Sequence, residues 1–331
     1  MRNPDKPIDK LYTGDNRLIL PEMIKAGIKV QSCVTSPPYY GLRDYGGENQ
    51  IGLEPTPAEY VENLVAVFQM VREVLTDDGT LWLNLGDSYA GSGKGRNGDG
   101  RSFKPTPQSF QTSNQLADRL KPTSTSDGLK AKDLIGIPWR VALALQADGW
   151  YLRQDIIWHK TNPMPESVTD RCVRSHEYLF LLSKNRHYYF NHRAIQEPSE
   201  TYGRSAADKQ NSFCRSSGKY TGTPIPGQGR TQHRDDRDSA IAQPMRNKRS
   251  VWSVSTVKAL HEHPAAFPPN LVAPCILAGT RPGDTVLDLF SGSGTVAETA
   301  TRLGRHWLGI ELNPAFARLH EDRTVQQSIS I

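Results

Sequence analysis

The chain has 331 residues, 37% of them hydrophobic and 23% charged, which is enough apolar material to bury a core and unlike a fibrous or wholly disordered protein. No run approaches the roughly 18 apolar residues that cross a bilayer, and Met1 to Lys10 is polar, so a soluble, cytoplasmic protein with no membrane partner is expected. Cys33, Cys172, Cys214 and Cys275 lack paired CxxC spacing, which argues against a zinc ribbon or a disulfide framework, and the net charge of +5 is only mildly basic.

In chain order, Ile28 to Val34 alternates apolar and polar residues and then meets Pro37 and Pro38, predicting a strand that runs into a loop at Thr35. Pro57 to Leu75 carries Tyr60, Leu64, Val67, Phe68, Val71 and Leu75 at helical spacing. Asp77-Asp78-Gly79 then predicts a turn into a strand, Thr80 to Leu85. Gly91 to Lys132 is nearly free of aliphatic residues and holds eight Lys/Arg against three Asp. Ile137 to Gln146 reads as a helix opened by Pro138, and Trp150 to Trp158 and His176 to Leu182 read as strands. Glu200 to Ser250 is a second basic stretch, with ten Lys/Arg against five acids and with Tyr202, Phe213 and Tyr220 among them. Val286 to Phe290 predicts a strand, Gly292 to Leu303 a helix, and Trp307 to Leu312 the next strand. Repeated β-α-β units imply an α/β fold with a mostly parallel sheet and helices on both faces. Two basic insertions in an acidic body suit arms that meet a polyanion, although solvated loops have the same composition. Trp82 and Trp139 fall within apolar patterns and read as core.

Two segments carry chemistry. Gly292, Gly294 and Ala297 form a GxGxxA pattern between a strand and a helix, where glycine permits a tight turn and close approach to a ligand. Asp288 precedes that turn, and Glu311 ends the next strand, where a carboxylate can hold both hydroxyls of a ribose. A nucleoside ligand is indicated, with a nicotinamide cofactor as the rival. The other segment is Thr35-Ser36-Pro37-Pro38-Tyr39-Tyr40. Its prolines remove backbone donors and stiffen the loop, so their carbonyls become fixed acceptors beside the Ser36 hydroxyl. An acceptor pair suits an NH2 group, and Tyr39 offers a flat face for an extruded base.

DLFSGSGT (288–295) resembles motif I, and GIEL (309–312) the acidic motif that follows it, of the S-adenosylmethionine-dependent methyltransferases. TSPPYY resembles motif IV, [DNS]-P-P-[YFW], of the beta-class DNA amino-methyltransferases, in which motif IV precedes motif I as it does here. Tyr12-Thr13-Gly14-Asp15 resembles the segment ahead of motif IV, and His263 to Leu271 resembles motif X. The resemblance implies a Rossmann-like methyltransferase fold with circularly permuted motif order. It implies that Phe290, Gly292, Gly294 and Thr295 wrap the methionine end of S-adenosylmethionine, with Asp288 close by. By the same likeness Glu311 holds the ribose, Asp15 contacts the adenine, and Phe267 and Pro268 cover the cofactor. Ser36, Pro37, Pro38 and Tyr39 become the catalytic loop, Ser36 Oγ and the Pro37 carbonyl accepting from the target amino group.

Residues 1–190 are thus expected to form the first part of a catalytic domain, with the basic insertion 91–132 inside it. Residues 191–250 would be a target-recognition insertion, and 251–331 the second catalytic part, carrying motifs X and I. Double-stranded DNA is the expected substrate, and the resemblance admits a homodimer and a cognate restriction endonuclease as partners. Ser at the first motif IV position favours cytosine N4 over adenine N6. An oxidoreductase, a non-catalytic DNA-binding protein, and a methyltransferase of RNA or protein stay open as alternatives. Carbon-5 methylation of cytosine needs a cysteine nucleophile that these segments lack, so Cys33 and Cys275 read as core thiols. His261-Glu262-His263 has no further ligand at useful spacing, and no metal is expected. Trp158, His159, Lys160, Asn162 and Pro163 resemble a family region near the target pocket but read equally well as a polar strand end, and stay outside the catalytic set.

Overall fold

The computed structural model describes residues 8–45, 49–91, 128–199, 244–257 and 268–328. Most of both basic stretches, including Tyr202, Phe213 and Tyr220, lies outside the described residues, as do Phe267 and His261-Glu262-His263. Two compact units emerge, Met1–Ala194 with Arg249–Ile331, and Ile195–Lys248.

The larger unit contains, in chain order, β1 (Lys10–Thr13), α1 (Asn16–Lys25), β2 (Val30–Thr35), α2 (Pro57–Val74), β3 (Leu75–Leu85), α3 (Ile137–Ala147), β4 (Tyr151–His159) and β5 (His176–Ser183). The smaller unit holds β6 (Glu197–Pro198) and β7 (Met245–Arg246), an antiparallel pair joined by an ion pair from Arg246 Nε to Glu197 Oε1 at 3.0 Å. The larger unit resumes with β8 (Val251–Ser253), α4 (Pro269–Gly279), β9 (Thr285–Asp288), α5 (Thr295–Arg302), β10 (His306–Glu311) and α6 (Pro314–Ser328).

Eight strands form one sheet in the order β1-β10-β9-β2-β3-β5-β4-β8. Every neighbouring pair is parallel except β3 with β5 and β5 with β4. Helices cover both faces: α1 packs on α2 and α2 on α3, while α4 packs on α5 and α5 on α6. The helical stripe of α2 buries Tyr60, Leu64, Val67, Phe68 and Val71 against Cys33, Leu81 and Leu83, each large side chain contributing about 1.5–3 kcal/mol by leaving water. Thr56 caps α2, its Oγ1 accepting from the Glu59 backbone N–H at 3.2 Å and donating to Glu59 Oε1 at 3.0 Å. Among the described residues no helix is long and apolar enough to cross a membrane.

The predicted elements appear with three differences. The turn expected at Asp77–Gly79 is a bulge within β3: Val30 faces Leu75 while Ser32 faces Thr80, so extra β3 residues loop out of the ladder. The helix expected from Gly292 starts only at Thr295, because Gly292 (φ 51°) and Gly294 (φ 82°) take left-handed backbone that cannot continue a right-handed helix. Trp82 is buried, but Trp139 is 38% exposed, lying edge-on against Phe180 at the surface with ring centroids 5.2 Å apart. Cys33 and Cys275 are both buried, and burial pushes the Cys33 thiol well up, so it is an inert core group.

Candidate active site

Ligands of open α/β sheets sit beyond the carboxyl ends of the strands. Here β2 and β9, from distant parts of the sequence, lie side by side with Cys33 opposite Leu287. Their ends are tied directly, as Thr35 Oγ1 donates to Asp288 Oδ1 at 2.7 Å. Antiparallel β5 begins where β3 ends, so Glu177 joins the same edge of the sheet. A cavity of about 780 Å³ opens along this edge, and its wall contains both Ser36–Tyr39 and Asp288–Ser293.

At one end lies the glycine turn. Glu311 accepts from the backbone N–H of Gly292 at 2.7 Å through Oε2 and of Asn313 at 2.8 Å through Oε1. Burial raises its pKa, yet each oxygen keeps a lone pair for a further donor. Asp288 also accepts from the Phe290 N–H at 3.1 Å, and burial pushes its carboxyl up to about 7. Asp15 caps α1 by accepting from the Arg17 N–H at 2.9 Å, and its carboxylate pairs with the Arg17 guanidinium at 2.6 Å. Arg17 in turn donates to the Asn49 carbonyl at 2.7 Å, fastening the loop after Tyr40 to this end.

At the other end Tyr39 Oη donates to Glu177 Oε2 at 2.6 Å and accepts from Asn84 Nδ2 at 2.6 Å. Asn84 Nδ2 also lies 3.0 Å from Glu177 Oε2 and 3.3 Å from Ser36 Oγ. Ser36 Oγ donates to Tyr39 Oη at 3.5 Å. Lys160 pairs with Glu177 Oε1 and sits over the Trp158 ring, 4.9 Å from its centroid. The Tyr39 ring packs directly on Gly86.

Of the predicted residues, Asp15, Ser36, Pro37, Pro38, Tyr39, Asp288, Phe290, Gly292, Thr295 and Glu311 share the cavity wall. Pro268 stands at the start of α4, and Gly294 turns its Cα toward the buried His320 ring; neither is part of that wall. Phe267 lies outside the described residues. Trp158, Lys160, Asn162 and Pro163, set aside above, do line the cavity, whereas His159 bonds to Ser253 Oγ at 3.1 Å. Asn84 and Glu177 escaped sequence reasoning altogether. Their only local signal is a polar residue inside an apolar strand and a charge at the head of another.

A doubly covered, mostly parallel sheet with a glycine turn and a Ser-Pro-Pro-Tyr loop in one cavity at its carboxyl edge is the architecture of an α/β enzyme with its site at that edge. The DNA methylase family model matches residues 30–322. The chain is 42% identical over 321 residues to the type II methyltransferase M.XycI of Xanthomonas campestris pv. cyanopsidis, covering 97% of this chain and 89% of that protein. It is 41% identical to the type II methyltransferase M.Cfr9I of Citrobacter freundii, over 95% of this chain and 86% of that one. Its fold is that of the PvuII cytosine-N4-specific DNA methyltransferase, with TM-score 0.58, 17% identity and coverage of 97% and 90%. The M1.HpyAVI structure solved with S-adenosylmethionine shares it too, with TM-score 0.50, 16% identity and coverage of 95% and 98%. The chain belongs to the DNA methylase family, and is a DNA methyltransferase.

Proposed function

We propose that this enzyme transfers a methyl group from S-adenosylmethionine to the N4 amino group of a cytosine flipped out of duplex DNA, at a specific sequence. The observation that carries this reading is the single cavity in which the Ser36–Tyr39 loop and the Asp288–Gly292 turn meet, joined by the Thr35–Asp288 hydrogen bond. The donor set fits the cofactor: two buried carboxylates suit ribose hydroxyls and a cationic sulfonium, and the positive-φ turn brings bare backbone to the ligand. Asp288, Phe290, Gly292, Thr295 and Glu311 would hold it, with Asp15 at the far end. When bound, it supplies an electrophilic methyl carbon on a sulfonium sulfur.

The chain's residues prepare the nucleophile. An exocyclic amino nitrogen is poor at attack because its lone pair is delocalised into the ring. Acceptance of its hydrogens by Ser36 Oγ and the Pro37 carbonyl favours a pyramidal nitrogen with a localised pair. Tyr39 stacking, worth about 1–3 kcal/mol, offsets part of the cost of extruding the base. Serine at position 36 supports cytosine over adenine. Residues 191–250 are assigned to target recognition, supported by their basic composition and their place in the chain between the two catalytic parts. A homodimer and a cognate restriction endonuclease complete the reading, the second supported by the type II naming of the relatives. Labelled cofactor incubated with duplex DNA, RNA and protein tests the assignment; label in DNA alone is expected.

Two results follow from the walls of the cavity. The Asp288 carboxyl, raised to about 7 by burial, is protonated below that value in the free enzyme, whereas a cationic ligand favours its anion. Affinity for S-adenosylmethionine should therefore rise with pH up to about 7 and level off above it. Asp288→Asn should abolish that slope and weaken binding at pH 8 by about 10- to 100-fold, as calorimetry across pH would show.

Met164 is 84% exposed at the cavity rim, between Pro163 and Pro165. Its loop is braced below by Asn162, whose Oδ1 accepts from the Thr256 N–H at 2.7 Å. An apolar side chain there can fill the gap a flipped base leaves. Met164→Ser should lower kcat/KM on duplex DNA by about tenfold, and far less when the target base faces an abasic site.

A further inference from the structure

We infer that Glu177 is a positioning residue that makes the Ser36 hydroxyl an obligate hydrogen-bond acceptor toward the target amino group, acting through the Tyr39 hydroxyl. This deepens the reading above and rests on it. A serine hydroxyl is ambivalent, with one proton to give and two lone pairs to receive. Only the receiving state suits an NH2 group, so something must direct the Ser36 proton elsewhere.

Directions along the observed chain settle where it goes. Glu177 pairs with Lys160 Nζ through Oε1, and Oε2 of a carboxylate can only receive. Tyr39 therefore spends its one proton on Glu177 Oε2 at 2.6 Å, and its oxygen can then only receive. Ser36 accordingly points its proton at Tyr39 Oη, 3.5 Å away, leaving to the cavity a lone pair beside the one that Asn84 Nδ2 reaches at 3.3 Å. Asn84 Nδ2 lies within donating distance of Tyr39 Oη, Glu177 Oε2 and Ser36 Oγ, at 2.6, 3.0 and 3.3 Å. Burial and the neighbouring carboxylate push the Tyr39 phenol well above its ordinary range, so its proton stays on oxygen. Lys160 directly follows β4 and Glu177 lies at the start of β5, which makes the antiparallel strand the source of this polarity.

The chain of bonds predicts a specific pattern of loss. Glu177→Gln keeps the shape but lets an amide NH2 donate to Tyr39, freeing that hydroxyl to donate toward Ser36. Tyr39→Phe keeps the stacking ring and removes the link. Each should lower kcat at least about tenfold, with KM for cofactor and DNA changed less than threefold. Base extrusion, read by the fluorescence of a 2-aminopurine placed at the target, should persist in both. The double variant should be no slower than the slower single, because both changes break one chain.

The target sequence for these assays is read first from the modified positions in DNA of cells expressing the protein. If the wild-type enzyme methylates no DNA, the underlying function fails. If it does, and Tyr39→Phe keeps kcat within twofold, or the two losses multiply, the role of Glu177 is overturned. Should Glu177→Gln not fold, Tyr39→Phe alone decides by the same criterion.

Discussion

Ser36→Ala is expected to lower kcat by about two to three orders of magnitude while leaving the Kd for S-adenosylmethionine within about threefold. Ser36 Oγ sits at the end of the cavity opposite Glu311, in contact with Asn84 and Tyr39. Its removal takes away one of the two acceptors for the amino group and leaves an apolar methyl facing a donor, an interaction that matters most as the nitrogen loses planarity. Nothing at the glycine turn changes, since Thr35, which bonds Asp288 at 2.7 Å, is retained. Single-turnover transfer of labelled methyl, beside calorimetry with the cofactor, separates the two quantities. Unaltered kcat, or cofactor affinity falling in step with it, would contradict the role assigned to this hydroxyl.

Gly86→Ala should be nearly as damaging, although glycine at 86 has no place in the glycine turn. Its backbone has no left-handed requirement, so the effect is steric. A Cβ there would lie 2.7 Å from Tyr39 Cδ2 and closer still to Cε2. The ring cannot swing aside freely, because its hydroxyl is held by Glu177 and Asn84, each at 2.6 Å. Overpacking of this kind costs about 1–3 kcal/mol of stability, and displacing the stacking face should lower kcat by about 100-fold. Adding Tyr39→Ala removes the clash, so the double variant should regain the lost stability in chemical denaturation while staying inactive. Stability equally low in single and double variants would show that Gly86 matters for some other reason.

What the sequence made legible is what local chemistry encodes. The proline pair, the glycine turn and the carboxylates at strand ends each announce themselves within a few residues, and all of Ser36–Tyr39, Asp288 and Glu311 reach one cavity. Helix α2 was readable from its stripe, because periodicity is local too. What stayed hidden depends on strand order. Glu177 is 138 residues from Tyr39, and only the insertion of antiparallel β5 beside β3 puts it there. Asn84 looks like an ordinary polar position in an apolar strand until its partners are known. The start of α5 lies later than the spacing predicts because left-handed Gly292 and Gly294, on either side of Ser293, delay it, and backbone sign is not written in residue type beyond glycine itself. Trp139 read as core from its apolar neighbours, but it lies 38% exposed at the edge of the Tyr178–Phe180 stack.

The central claim is that donor and acceptor meet in one cavity so that an exocyclic nitrogen receives the methyl group. Its most direct test is to incubate the enzyme with duplex DNA and methyl-labelled S-adenosylmethionine, digest the product to nucleosides and separate them by chromatography with mass detection. The account predicts label in N4-methyldeoxycytidine. Label on carbon 5 of cytosine, or DNA left unlabelled, would contradict it.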